Sequence, residues 1–137
     1  VKALSKAERE LVRMKCRGRC SYCGIVLDKS WQADHMAPVG RLSKWLPGSF
    51  RPVSTGEVSH PDRHTIDNLW PACRRCNNDK SDDSLEGWRA RLEDSHARLE
   101  RNYATYYHAL RFGLIRPAAP KVVFFFERPR RVLFTTT

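Results

Sequence analysis

The chain has 137 residues, one domain's worth with room for a single modest core. With 41% hydrophobic and 29% charged residues it reads as globular rather than disordered, and no apolar run approaches membrane-spanning length. A formal charge of +10 favours a polyanionic partner, of which nucleic acid is the commonest.

The N-terminal stretch "VKALSKAERELVRMK" is too charged for the apolar core of a signal peptide, so a cytoplasmic protein is expected. Ser5 followed by Glu8 has the spacing of a capping box, and Leu4, Ala7, Leu11 and Met14 recur at helical spacing. A short helix is therefore expected, stopped near Gly18. It delivers the chain to Cys20-Ser21-Tyr22-Cys23, a C-x-x-C knuckle. Cys73-Arg74-Arg75-Cys76 is a second. Five cysteines without an export signal argue against a disulfide framework, and two paired knuckles point to a four-cysteine zinc site. Cys16 is left over and is expected to be a buried thiol on the first helix.

After Gly24, "IVLDKSWQADH" reads as a turn and a strand, with Trp31 and Ala33 alternating with Gln32 and Asp34. Residues 39–64 read as a long loop rich in Pro, Gly and Ser. Arg41, Lys44, Arg51 and Arg63 are spread along it with Trp45 and Phe50 between them. That pattern suits nucleic-acid contact, or an aromatic pin onto the core. A second strand is expected at Thr65 to Trp70, then a helix opening near Arg74. Asp83 and Glu86 have capping-box spacing for a further helix starting near Ser84. Leu85, Trp88, Leu92, Leu99, Tyr103, Tyr106 and Leu110, with His96 in the gap, step by threes and fours. This predicts one long amphipathic helix ending at Gly113, whose stripe offers either a packing face or a homodimer face. "KVVFFFE" and "RRVLFTTT" around Arg128-Pro129-Arg130 suggest a terminal β-hairpin.

Asp34-His35 is by itself an ordinary polar pair. Its company changes that: "CSYC", "DHMAP", "HTIDNL" and "CRRCNNDK" follow one another in order. The series resembles the HNH endonuclease family, over Cys20 to about Lys80. The resemblance implies a ββα-metal core. Asp34 and Asn77 would be ligands of a catalytic divalent cation, and His35 the general base. Asn68 would hold the inter-strand loop through backbone hydrogen bonds. Cys20, Cys23, Cys73 and Cys76 would bind structural zinc. The catalytic cation would be Mg2+ or another divalent ion such as Mn2+ or Ni2+. His60 and His64 are reserve ligands.

The chemistry makes the same demand independently. Phosphodiester hydrolysis needs an activated water and a counter-charge, and histidine and oxygen donors to a hard cation provide them. One conflict is visible: neighbours on a strand face opposite ways, so Asp34 and His35 can share a centre only if the strand distorts at His35.

The expected fold is α+β: a small ββα-metal core at about 16–82, with an N-terminal helix, zinc knuckles, a long helix and a terminal hairpin, in a single domain over 1–137. The expected function is metal-dependent endonucleolytic hydrolysis of double-stranded DNA. Arg41, Lys44, Arg51, Arg63, Arg74, Arg75 and Lys80 are the candidate nucleic-acid contacts. The competing reading is a zinc-stabilised nucleic-acid-binding module without catalysis.

Overall fold

In a computed structural model that describes residues 2–118 and 121–129, Ser5 opens helix α1 (Lys6–Met14). The capping box is complete: the Glu8 amide donates to Ser5 Oγ at 3.2 Å, and the Ser5 amide donates to the Glu8 carboxylate at 2.7 Å. The chain then turns through Arg17 and Gly18, both at positive φ. Cys16 lies in this turn, just past the helix, and is buried.

The described residues are mixed α+β, with five α-helices and two small antiparallel sheets. They divide into two compact units, Val1–Asp82 with Val123–Thr137, and Asp83–Val122. No helix among them is long and apolar enough to cross a membrane.

In the first unit, β1 (Gln32–His35) pairs antiparallel with β4 (Leu69–Ala72), and α2 (Arg74–Lys80) follows β4 at once. The second strand is therefore shifted toward the C-terminus, sharing only Leu69 and Trp70 with the expected Thr65–Trp70. Residues 65–68 form a turn instead. The Asn68 and Leu69 amides bond the Thr65 carbonyl at 3.1 Å, and the Lys15 ammonium gathers the carbonyls of Ile66 (2.5 Å), Asp67 (3.2 Å) and Leu69 (2.8 Å). Satisfying carbonyls from outside the sheet outweighs the β-propensity of Thr65 and Ile66.

The expected long loop also needs correction. It contains a second antiparallel ribbon, β2 (Arg41–Lys44) with β3 (Val53–Val58). All of β2 and most of β3 are exposed, so no inward-facing alternation marks them in the sequence.

Val12, Leu27, Val39, Leu69, Ala72 and Phe124 form the buried centre of this unit with the first knuckle. The knuckle is also braced from the far end of the chain. The amides of Phe125 and Phe126 donate to the carbonyls of Tyr22 and Ser21, each at 2.9 Å. The Tyr22 and Phe124 rings meet edge to face at 5.5 Å. Gly24 has φ +79°, and a side chain there would meet the Phe125 ring, with Cδ2 only 2.7 Å from the Cβ position. This segment is no hairpin arm: 121–124 is irregular and Phe125–Glu127 is a 3-10 turn. The second proposed arm, 130–137, lies outside the described residues.

In the second unit the expected long helix is three short ones, α3 (Leu85–Glu93), α4 (Ser95–Asn102) and α5 (Ala104–Arg111). Ser84, rather than Asp83, caps α3, its hydroxyl accepting from the Gly87 amide at 3.0 Å. Extended backbone at Tyr103 (φ −128°, ψ 108°) breaks the run. The His96 Nδ1 to Tyr106 hydroxyl bond (2.8 Å) and the Arg111–Glu100 ion pair (3.2 Å) then link α4 to α5. Periodicity of three and four survives such a break, which is why the stripe reads as one helix.

Candidate metal and catalytic centre

The four knuckle cysteines converge. The Sγ atoms of Cys20, Cys23, Cys73 and Cys76 all lie within 4.8 Å of one another, with Cys23 and Cys73 at 3.9 Å. Tetrahedral zinc with Zn–S near 2.3 Å requires sulfurs about 3.8 Å apart, so this donor set fits zinc. Local geometry brings the halves together. Cys20 and Cys23 flank a tight turn in which the Gly24 amide bonds the Cys20 carbonyl at 3.0 Å. Cys73 is the N-cap of α2, its sulfur 3.5 Å from the Cys76 amide. The Cys76 thiol and neighbouring backbone amides hold the Cys20 thiol well below its ordinary value, while the same contact pushes Cys76 up.

β1 runs regularly to its end, with Asp34 opposite Trp70 and His35 opposite Leu69. The expected distortion at His35 is absent, and the pleat sends the two side chains to opposite faces. Asp34 is buried, 6% exposed. Its Oδ2 accepts from the Tyr22 hydroxyl at 2.5 Å and pairs with the Lys80 ammonium at 3.1 Å. Burial pushes its carboxyl up, and Lys80 and Tyr22 pull it part of the way back. Burial, with the Asp34 charge alongside, also pushes the Tyr22 hydroxyl up, so it remains a donor.

Lys80 requires a correction. It is fully buried, bonded to Asp34 and, at 2.8 Å, to the His35 carbonyl, and it cannot reach a phosphate. One turn earlier on α2, Asn77 Nδ2 donates to Gln32 Oε1 at 2.7 Å. Gln32 and Asp34 share a face of β1, so α2 brings Asn77 and Lys80 to that face.

His35, on the other face, is half-buried. Its Nε2 lies 2.9 Å from His64 Nδ1, and His64 Nε2 lies 2.9 Å from the Lys2 carbonyl. Burial first, then repulsion from His64 whenever that ring is protonated and from Arg41 and Lys80, holds His35 down to about 4, so it is neutral at neutral pH. Asn68 joins the two ends of the ribbon-bearing segment. Its Oδ1 accepts from the Ala37 amide, and its Nδ2 donates to the Ala37 and Arg63 carbonyls, all at 2.8 Å. Arg63 is half-buried and donates to the Pro38 carbonyl at 2.8 Å, a brace at the same place. Arg41, Lys44, Arg51, Arg74 and Arg75 are exposed, as is His60.

Sequence reasoning passed over Tyr22, Gln32 and Lys15. Tyr22 carried one signal: an aromatic with a polar handle between two metal-ligand candidates tends to be buried and to need a partner.

No curated protein and no solved structure matches the chain. Residues 56–83 match the family described as HNH endonuclease. That stretch carries His64, Asn68, Cys73, Cys76 and Asn77, while Cys20, Cys23, Asp34 and His35 lie upstream of it. Together with the four cysteines gathered into one cluster, the match over residues 56–83 is to an HNH endonuclease domain, which suggests nuclease-type activity in general terms.

Proposed function

We propose that this chain hydrolyses phosphodiester bonds of double-stranded DNA, with His35 as general base. The observation that carries the reading is the half-exposed, neutral His35 at the end of β1, beside the loop that Asn68 ties down, next to a segment matching the HNH endonucleases. β1, β4 and α2 are read as the ββα-metal core.

Asp34 and Asn77 would hold a divalent cation on one face of β1, and His35 would reach the same phosphate around the end of the strand, where the backbone bends at Met36 and Ala37. The Tyr22 and Lys80 contacts of Asp34 fall on Oδ2, so Oδ1 is the oxygen it would offer, and Asn77 turns its nitrogen to Gln32, so its amide oxygen is the atom it would offer. Mg2+, Mn2+ or Ni2+ held there supplies counter-charge to the scissile phosphate and leaving oxygen. The chain's own groups do the rest. His35 takes a proton from water. Lys80 grips the last two residues of β1, and Asn68 closes the loop beyond them. The zinc cluster clamps the first knuckle, just ahead of β1, to the start of α2.

The β2–β3 ribbon and the first turn of α2 are read as the DNA face. Arg41, Lys44 and Arg51 lie along the ribbon. Trp45 (68% exposed) and Phe50 (102%) stand at its turn, and Arg74 and Arg75 open α2. A two-stranded ribbon fits the major groove, guanidinium and ammonium groups neutralise phosphates, and exposed aromatics stack on bases.

A supercoiled-plasmid nicking assay tests this, comparing wild type with His35→Ala under EDTA, Mg2+, Mn2+ and Ni2+. Nicking should require metal and disappear in the variant at unchanged zinc content. DNA binding without cleavage under every metal, unaffected by His35→Ala, would leave a zinc-built binding module instead.

A further inference from the structure

We infer that His64 is a positioning residue: it selects the tautomer of His35 and thereby makes Nδ1 the atom that accepts the proton. The inference rests on His35 being the general base, and it goes beyond that reading by naming the atom and what sets it.

The argument is one of proton counting along a short chain. The Lys2 carbonyl oxygen bears no hydrogen, so the 2.9 Å contact to His64 Nε2 requires the proton to be on Nε2. A neutral imidazole has a single ring proton, so His64 Nδ1 is a bare lone pair and can only accept. The 2.9 Å contact between His64 Nδ1 and His35 Nε2 then obliges His35 to donate from Nε2. Neutral His35 is left with its lone pair on Nδ1.

The reverse assignment fails at the same place. A proton on His35 Nδ1 would leave two lone pairs facing each other across 2.9 Å, unless His64 were a cation.

The backbone holds the relay in place. His64 caps the 3-10 turn Pro61–Arg63, with its amide on the Pro61 carbonyl at 3.1 Å. The Arg63 carbonyl beside it is bonded to Asn68, and the His35 carbonyl is bonded to Lys80. Both rings therefore hang from fixed backbone.

In the reaction the water O–H bond breaks and an N–H bond forms at His35 Nδ1. The hydroxide oxygen bonds to phosphorus as the bond to the leaving ester oxygen breaks, and that oxygen takes a proton from solvent water to leave as the alcohol. The imidazolium so formed donates to His64 Nδ1 through a charge-assisted hydrogen bond and later returns its new proton to solvent. His64 acts here as an orienting acceptor, as a buried carboxylate does behind the histidine of a hydrolase triad.

The test uses the full zinc-loaded chain with 15N-labelled histidine near neutral pH, the His35 signals being assigned by their loss in His35→Gln. Wild type should show His35 protonated at Nε2 and bare at Nδ1. His64→Leu should give mixed tautomers and lose about 10- to 100-fold in kcat for plasmid nicking with KM unchanged. His64→Asn keeps an acceptor oxygen near the Nδ1 position, and should restore the tautomer and most of kcat. Zinc content and melting temperature guard against misfolding of the Leu variant.

A wild-type His35 protonated at Nδ1 would overturn the inference. So would an unchanged spectrum and turnover in His64→Leu. If the wild-type chain cuts no DNA, the nuclease reading fails, yet the ring-nitrogen spectrum still decides whether His64 sets the tautomer.

Discussion

Lys80 places one ammonium between the Asp34 carboxylate and the His35 carbonyl, so α2 holds the end of β1 through a single side chain. Both charges are out of water. Removing one leaves the other uncompensated, a loss of about 3–5 kcal/mol for a buried pair. Lys80→Met should lower stability by that order in chemical denaturation, whereas Lys44→Met on the exposed ribbon should change it by less than about 0.5 kcal/mol. Equal losses would show that the Asp34–Lys80 pair contributes little.

His35 gives a pH dependence with a definite sign. Its folded value is lowered to about 4 from an ordinary 6.5. Between those values the unfolded chain binds more protons than the folded one. Stability should therefore rise with pH across that window, and be lost as pH falls from about 6.5 toward about 4. Melting curves of wild type and His35→Gln across the window check this, and the wild-type dependence should be the steeper.

At the scale of elements, the β2–β3 ribbon stands out because β2 is wholly exposed and β3 nearly so. Two strands alone have little to bury, and large apolar side chains at a ribbon's turn serve a partner better than a core. If that partner is DNA, Lys44→Ala with Arg51→Ala should flatten the log–log salt dependence of binding by about two units, roughly one per lost phosphate contact. Trp45→Ala with Phe50→Ala should weaken binding with the slope unchanged. These titrations belong in the His35→Ala background, where cleavage does not deplete the substrate. A slope indifferent to both basic residues would move the DNA face elsewhere.

For the whole molecule, the four-cysteine cluster, with the zinc it is proposed to hold, joins two knuckles 50 residues apart in sequence. Structural zinc contributes on the order of 10 kcal/mol or more to small domains. Metal analysis should return one zinc per chain. Stripping it, or Cys76→Ser, should abolish cooperative unfolding of the first unit together with any nicking, and added Mg2+ should not restore either. A stripped chain that keeps its melting transition would show that the apolar centre around Val12, Leu69 and Phe124 suffices.

Much of the fold was legible because it is local. The Ser5–Glu8 box, the two C-x-x-C turns and the start of α2 each depend on residues within about one turn of one another, and spacing along the chain records them. The ribbon escaped because exposed strands carry no burial alternation. The break at Tyr103 escaped because periodicity reports which side faces inward, not whether the backbone is continuous.

By itself, the sequence determined the mixed α+β class, the two cysteine pairs that meet in one cluster and the resemblance to HNH endonucleases, and it named the positions proposed to carry their chemistry. Only the tertiary structure decided the partners of those positions: Asp34 with Lys80 and Tyr22, Asn77 with Gln32, His35 with His64. The physical reason is reach. A hydrogen bond or buried ion pair forms where two side chains meet within about 3 Å, and folding brings such pairs together from segments whose separation in the chain says nothing of their distance in space.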